Sequence, residues 1–183
     1  MAILDAARAS CHSERDVTII SLALACGLRK DEIRQLQWPD DVNLKTYTLE
    51  IRDSKTEAGR RMVPISPHIV PLIDAYVKDW RPSQLAGPLF LTQHGDPFSY
   101  DGFSQVFSRI KKRLPASMHF MAHRARNTAL TNWRRAGVDI ATLAKIAGHS
   151  DISHTEHYLG DITPEEIARI PDAFGRFLGR RVV

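Results

Sequence analysis

The sequence predicts a mainly α-helical domain with a small antiparallel β-sheet, an α+β fold. Two patterns predict it. Most of the second half of the chain has apolar residues at helical spacing between glycine or proline stops, and one short region alternates polar and apolar residues. With 183 residues and 43% hydrophobic content, the chain is long enough for one domain with a full core. No repeat or linker divides it, so we expect a single domain over residues 1–183.

The first half predicts two helices and a β-hairpin. The segment from Val17 to Cys26 is apolar on nearly all sides, which is typical of a buried helix. After Gly27, the stretch "RKDEIRQLQW" predicts a shorter amphipathic helix. Alternation from Thr46 predicts a half-buried strand that includes Tyr47, "DSKTEAG" a turn, and "RRMVPIS" a returning strand whose Pro64 favours a sheet edge.

Helix signals fill the rest of the chain. Ser66-Pro67 predicts a helix start. Residues from His119 to Arg135 predict one later helix, and those from Asp139 to Ala147 another, which Gly148 ends. Another helix is predicted from five apolar residues at helical spacing: Phe103, Val106, Phe107, Ile110 and Leu114.

The C-terminal quarter predicts two further short elements. Ser153 and Glu156 fit a capping box, which places Tyr158 in the first turns of a small helix. Residues 163–183 predict a C-terminal tail that contains a last amphipathic helix, with Ile167, Ile170, Phe174 and Phe177 on its apolar side.

Charge and composition narrow the class of protein. A net charge of +4 favours a polyanionic partner. Two cysteines are too few for a disulfide framework, and the most apolar run, "VTIISLALACG", is too short to span a bilayer. We therefore expect a cytoplasmic protein with no membrane partner.

The histidines do not predict a metal site. His149, His154 and His157 match no familiar zinc spacing and have no cysteine nearby. His119 and His123 stand four residues apart but lack the glutamate of the zinc-protease motif. We expect no metal and no cofactor.

Residues suited to phosphate chemistry instead occur in a fixed order along the chain. "GLRKDE" contains Arg29, "HRARNT" contains His123 and Arg126, and "AGH" ends at His149, nine residues before Tyr158. Lys55 lies at the predicted hairpin tip.

This order resembles the tyrosine recombinases, the phage integrase family. The match departs from the family pattern at Ala125 and Ala147, where leucine is usual, and at Asn127, where histidine or arginine is usual. These are packing or supporting positions.

The resemblance implies the tyrosine recombinase catalytic-domain fold and site-specific cleavage and religation of double-stranded DNA. It also implies a tetramer on DNA, with a monomer possible without DNA, and no small-molecule substrate. A DNA-relaxing activity like that of type IB topoisomerases and a catalytically inert DNA-binding module remain alternatives.

Each site residue has an implied role in this chemistry. Arg29 and Arg126 would clamp the phosphate, since a guanidinium is a permanently charged planar fork. Tyr158 would attack phosphorus, and His149 would donate to a non-bridging oxygen. His123 would accept the tyrosine proton or support the phosphate, and Lys55 would protonate the leaving oxygen.

Plainer interpretations stay open. Arg29 could only pair with Glu32, and Lys55 could only solubilise a turn. The catalytic interpretation requires the guanidinium groups of Arg29 and Arg126 to meet, and coordinates that separated them would contradict it.

The resemblance also bears on domain organisation. The family's usual N-terminal core-binding domain has no counterpart before the first predicted helix, so we expect it to be absent from this chain. The tail of residues 163–183 could dock on a neighbouring subunit or pack on its own core.

Overall fold

The computed structural model of the protein describes residues 2–52, 60–83, 85–148, 172 and 174–175. The helices in this part of the chain are α1 (Ala2–Arg8), α2 (Ser13–Ala25), α3 (Lys30–Gln35), α4 (Val70–Ala75), α5 (Tyr100–Lys111), α6 (Ala122–Arg135) and α7 (Ile140–Ala147). The strands are β1 (Gln37–Trp38), β2 (Val42–Asn43), β3 (Thr48–Ile51), β4 (Arg61–Pro64) and β5 (Gly87–Pro88). A π-helical turn, Tyr76–Trp80, extends α4. The predicted α+β fold class is confirmed.

Helix α2 lies at the centre of the core. It is buried along nearly its whole length and packs against α1, α3, α4 and α6. Its sequence explains this position, because a helix with apolar residues on every side is stable only when other elements surround it. The predicted buried helix is confirmed.

The strands form two small antiparallel sheets. In the larger, β3 pairs with β2 on one side and β4 on the other, and Ile51 stands opposite Arg61. β4 is therefore an edge strand, as Pro64 predicts. The prediction was wrong at Tyr47, which precedes β3 with φ 57° and is 45% exposed. A residue in that left-handed turn cannot continue the alternation of the strand.

Two helices begin later than the sequence predicts. Residues 67–69 form a turn, and α4 begins at Val70 with Pro71 in its first turn. Likewise α6 begins at Ala122 rather than His119, because Met121 is extended with φ −151°. Phe120, just before it, is buried with its ring 6.1 Å from that of Phe107. Packing of this side chain holds the segment outside the helix.

Helix α7 matches its prediction closely, and α5 matches except at its end, since it stops at Lys111, before the predicted Leu114. Four apolar side chains of α5 are buried on one face: Phe103, Val106, Phe107 and Ile110. In α7, the Asp139 side chain caps the first turn by accepting from the Thr142 N–H, and Gly148 ends the helix with φ 60°. Local signals therefore determined both helices.

The C-terminal predictions are only partly visible. Phe174 is buried in the core of its own chain, at 4% exposure. Ser153, Glu156, Ile167, Ile170 and Phe177 lie outside the described residues. Within the described ranges, no helix combines the length and the apolar character needed to cross a bilayer.

Candidate active site

A buried carboxylate, that of Glu32, organises the candidate site. Its side chain is 7% exposed and stands in the first turn of α3. Arg61 Nη1 and Nη2 donate to its two oxygens at 3.0 and 2.9 Å, and Arg29 Nη1 donates to Oε1 at 2.8 Å. Arg126 Nη1 lies 3.9 Å from Oε2. Three arginines from three different elements therefore surround one carboxylate.

The guanidinium groups of Arg29 and Arg126 meet at the end of α7. Arg126 Nη2 donates to Ala147 O at 2.7 Å, and Arg29 Nη2 donates to the next carbonyl, Gly148 O, at 3.0 Å. Arg126 Nη1 also donates to Gly27 O at 2.8 Å. The convergence that the catalytic interpretation requires is therefore present, and the plainer interpretation of Arg29, its pair with Glu32, is present as well.

Gly27 makes this convergence possible. Gly27 follows the end of α2 and has φ 62°, a conformation that other residues adopt at a cost. The turn that it makes places Arg29 at the N-cap of α3. A Cβ at this position would also lie 3.3 Å from Leu130 of α6. The close approach brings α6, and with it Arg126, against the start of α3.

Charge and burial shape the ionisation of the cluster. Burial alone would raise the pKa of Glu32, but hydrogen bonds and charge from Arg61, with hydrogen bonds from Arg29, hold it below its ordinary value. Burial, together with the charge of Arg29, lowers the pKa of Arg126 to about 10. The arginine therefore remains cationic at neutral pH.

A cleft of about 680 Å³ opens on this cluster. Its described lining includes four cationic side chains, those of Arg29, Lys30, Lys111 and Arg126, and no carboxylate. Lys30 Nζ lies 3.5 Å from the centre of the Tyr100 ring and donates to Ser104 Oγ. We call this feature the basic cleft, and its charge suits an anionic ligand.

His123 lines the basic cleft together with Arg126. Both stand on one face of α6, as their spacing predicts, and His123 is exposed in the first turn. The N–H groups of a helix's first turn have no partner within the helix and favour anions. The N-terminus of α6 therefore adds to the positive electrostatic potential of the cleft.

The remaining predicted site residues, Lys55, His149 and Tyr158, lie outside the described residues. For two of these, described residues nearby in the sequence contact the cluster: Gly148 precedes His149, and Arg61 follows the segment that contains Lys55. In the described part of the chain, no three His, Cys, Asp or Glu side chains come together as a metal site would require.

Sequence reasoning missed Arg61. The sequence predicts this residue only as part of a strand, yet it is 7% exposed and its side chain is hydrogen-bonded to Glu32. A weak signal exists, because the period-two pattern of β4 places Arg61 on the same buried face as Val63. A charged residue on a buried face requires a partner, which points to a buried carboxylate.

Comparison with known proteins agrees with this geometry. A sequence model of the phage integrase family matches residues 1–163. The chain belongs to the phage integrase family. Among members of the phage integrase family, it is similar to the tyrosine recombinase XerD of Staphylococcus haemolyticus, with 28% identity over 148 residues, 79% of this chain and 49% of that protein. It is also similar to XerC of Staphylococcus epidermidis, with 29% identity over 147 residues, 79% of this chain and 48% of that protein. The chain spans about half the length of these curated relatives.

Solved structures share the fold of this phage integrase family chain. The crystal structure of XerA recombinase superposes with a TM-score of 0.72 at 20% identity, covering 100% of this chain and 62% of that one. The structure of the Tn1549 transposon integrase in complex with transposon right end DNA superposes with a TM-score of 0.70 at 21% identity, covering 97% of this chain and 63% of that one. The predicted tyrosine recombinase catalytic-domain fold is confirmed.

Proposed function

We propose that this chain is the catalytic part of a site-specific DNA recombinase or integrase that cuts and rejoins double-stranded DNA through Tyr158. One observation carries the proposal: Arg29 and Arg126, distant in sequence, bring their guanidinium groups together in the wall of the basic cleft. The similarity to tyrosine recombinases XerD and XerC supports the same reaction.

The proposed reaction is a reversible transesterification. The Tyr158 hydroxyl oxygen forms a bond to the phosphorus of a DNA phosphodiester while the bond from phosphorus to the 5′-oxygen breaks. His123 accepts the tyrosine proton or supports the phosphate, and Lys55 supplies a proton to the 5′-oxygen. The products are a 3′-phosphotyrosyl protein and a free 5′-hydroxyl, and attack by a second 5′-hydroxyl reverses the step.

The two arginines and His149 would stabilise the transition state. Negative charge grows on the non-bridging oxygens as tyrosine attacks, and fixed cationic donors lower the energy of that charge without reorganising. Arg126 is held by two backbone carbonyls and is 3% exposed, so its position is set before DNA binds. Arg29 is 47% exposed and can follow the phosphate.

We further propose that the basic cleft carries the DNA backbone next to the cleaved phosphate, and that recombination requires a tetramer on two DNA sites. Lys30 and Lys111 on the cleft wall would contact flanking phosphates. Without DNA, the protein would be a monomer. No cofactor or metal takes part in this proposal.

The direct test is a nicked suicide duplex, from which the released fragment diffuses away and leaves a covalent protein–DNA adduct. We expect the 183-residue chain to form the adduct and Tyr158→Phe to lose it, because phenylalanine has no nucleophilic oxygen. Tyr100→Phe is the matched control, since Tyr100 is an exposed tyrosine on the cleft wall. Denaturing gels with labelled DNA measure both.

The outcomes of this test separate the alternatives. An adduct that persists in Tyr158→Phe contradicts the assigned nucleophile. DNA binding without any adduct indicates an inert binding module. Relaxation of a plasmid that lacks a target site indicates an activity like that of type IB topoisomerases.

Lys111→Ala tests the path of the DNA. We expect the variant to bind DNA of every sequence more weakly. The slope of log Kd against log salt concentration should also fall by about 1, because one phosphate contact is lost. Lys112→Ala is the control, because Lys112 is exposed at the same helix end but does not line the cleft. Equal slopes for the two variants would place the DNA elsewhere. Fluorescence anisotropy at several salt concentrations measures the slopes.

A further inference from the structure

Arg61 is the most fully engaged member of the arginine cluster. It stands at the start of β4, directly after the hairpin segment, with a side chain that is 4% exposed. Its Nη1 and Nη2 donate to both oxygens of Glu32, and its Nε donates to Ile146 O at 2.5 Å. All three nitrogens of the fork are therefore used inside the protein, away from the cleft.

These bonds join three segments that are distant in the sequence. Glu32 belongs to α3, Ile146 to the last turn of α7, and Arg61 itself to β4. The approach to α7 is close: a Cβ on Gly148 would lie 2.9 Å from Arg61 Nη1. Gly148 is thus required both by its φ of 60° and by the guanidinium packed against it.

Each joined segment leads to a residue of the proposed site. Glu32 holds Arg29, the hairpin before Arg61 contains Lys55, and α7 ends just before His149. We infer that Arg61 is a positioning residue, which fixes the ends of these three segments relative to one another so that the phosphate-binding groups meet. This inference rests on the proposed function.

A buried arginine could also contribute stability alone, and the chain offers a matched comparison. Arg81 is 5% exposed and donates to the backbone carbonyls of Leu85, Pro88 and Leu89, which do not line the basic cleft. Substitutions at Arg81 therefore measure the stability that is lost with a buried arginine. Effects found only at Arg61 indicate that it positions the residues of the proposed site.

The experiment compares Arg61→Lys with Arg81→Lys in the 183-residue chain. Lysine keeps the charge but is a single point donor, which cannot bridge both Glu32 oxygens and Ile146 O. We expect Arg61→Lys to slow adduct formation at saturating DNA on the order of 100-fold, as for a displaced catalytic group, with DNA affinity nearly unchanged. Arg81→Lys should lower the melting temperature and leave the rate of the folded protein unchanged.

A second pair of variants tests the packing of Arg61 without substituting Arg61 itself. Gly148→Ala would push the new methyl group into the guanidinium, whereas Gly137→Ala places it in open space at another positive φ, 100°. Both variants strain the backbone. We expect only Gly148→Ala to reproduce the slow adduct formation of Arg61→Lys.

Two measurements decide the inference without catalysis. We expect a ¹³C NMR titration to show a higher pKa for Glu32 in Arg61→Lys than in the unsubstituted chain, and amide exchange to show weaker protection in the last turn of α7. If neither changes, or if Arg61→Lys and Arg81→Lys behave alike in every measurement, the inference is overturned. If the unsubstituted chain forms no adduct, the proposed function fails, while these two measurements still decide whether Arg61 couples the segments.

Discussion

We expect Arg126→Gln to slow adduct formation by a factor of about 100–1000, the usual cost of losing one preorganised donor at a developing negative charge. Glutamine is uncharged and its side chain is two bonds shorter, so it cannot replace the two hydrogen bonds that the Arg126 guanidinium donates. Arg126 donates to the carbonyls of Gly27 and Ala147, and a buried carbonyl left without a donor costs about 1–3 kcal/mol. Single-turnover cleavage at saturating DNA and thermal unfolding measure the two effects separately.

Arg124→Gln is the control for this prediction. Arg124 stands two positions earlier on α6, carries the same charge, and is exposed. A rate lost equally in both variants would mean that the positive charge of α6, rather than the placement of Arg126, supports the reaction. A rate unchanged in Arg126→Gln would remove this residue from the proposed phosphate clamp.

We expect Glu32→Gln to be strongly destabilising, because it leaves two buried arginines, Arg61 and Arg126, without their carboxylate. Removing one partner of a buried ion pair costs about 3–5 kcal/mol. Arg61 and Arg126 have side chains that are 4% exposed, so water cannot replace the lost charge. The free energy of unfolding from urea denaturation at neutral pH measures the loss, and adduct formation should fall with it.

The effect of Glu32→Gln should depend on pH in a defined direction. Because the pKa of Glu32 is lowered in the folded state, its charge stabilises the fold above the ordinary glutamate pKa of about 4.3. That contribution is lost as the pH falls through the lower folded value. The unfolding free energies of the two proteins should therefore converge in acid, as urea denaturation across pH would show.

Glu50→Gln provides the control. Glu50 also pairs with an arginine, Arg52, but the two side chains are 54% and 51% exposed, and such surface pairs contribute about 0–1 kcal/mol. A loss of stability at Glu32 no larger than at Glu50 would show that the cluster does not depend on its carboxylate.

Local sequence signals predicted much of the fold correctly. Helix α2 follows from an apolar run, α7 from Asp139 and Gly148, and the edge position of β4 from Pro64. The start of α6 was predicted too early because burial of Phe120, a tertiary contact, overrides a helical pattern next to it. Helix ends set by caps are local, whereas those set by packing are not.

The motifs placed Arg29, His123 and Arg126 in one site without any coordinates, and the structure brings these three to one cleft. The roles of Lys55, His149 and Tyr158 remain predictions, since these residues lie outside the described part of the chain. Arg61 was missed because its strand pattern gives its burial but not the identity of its partner.

The sequence alone therefore gives the order of the candidate site residues and most of the helices and strands that carry them. Those helices and strands can be predicted because they depend on interactions between residues close together in the chain. Only the tertiary structure decided that Glu32, besides its neighbour Arg29, also lies beside Arg61 of β4 and Arg126 of α6, and that carbonyls at the end of α7 accept hydrogen bonds from all three arginines. A buried charge is stable only where distant segments supply its partners, and no pattern within one segment contains that information.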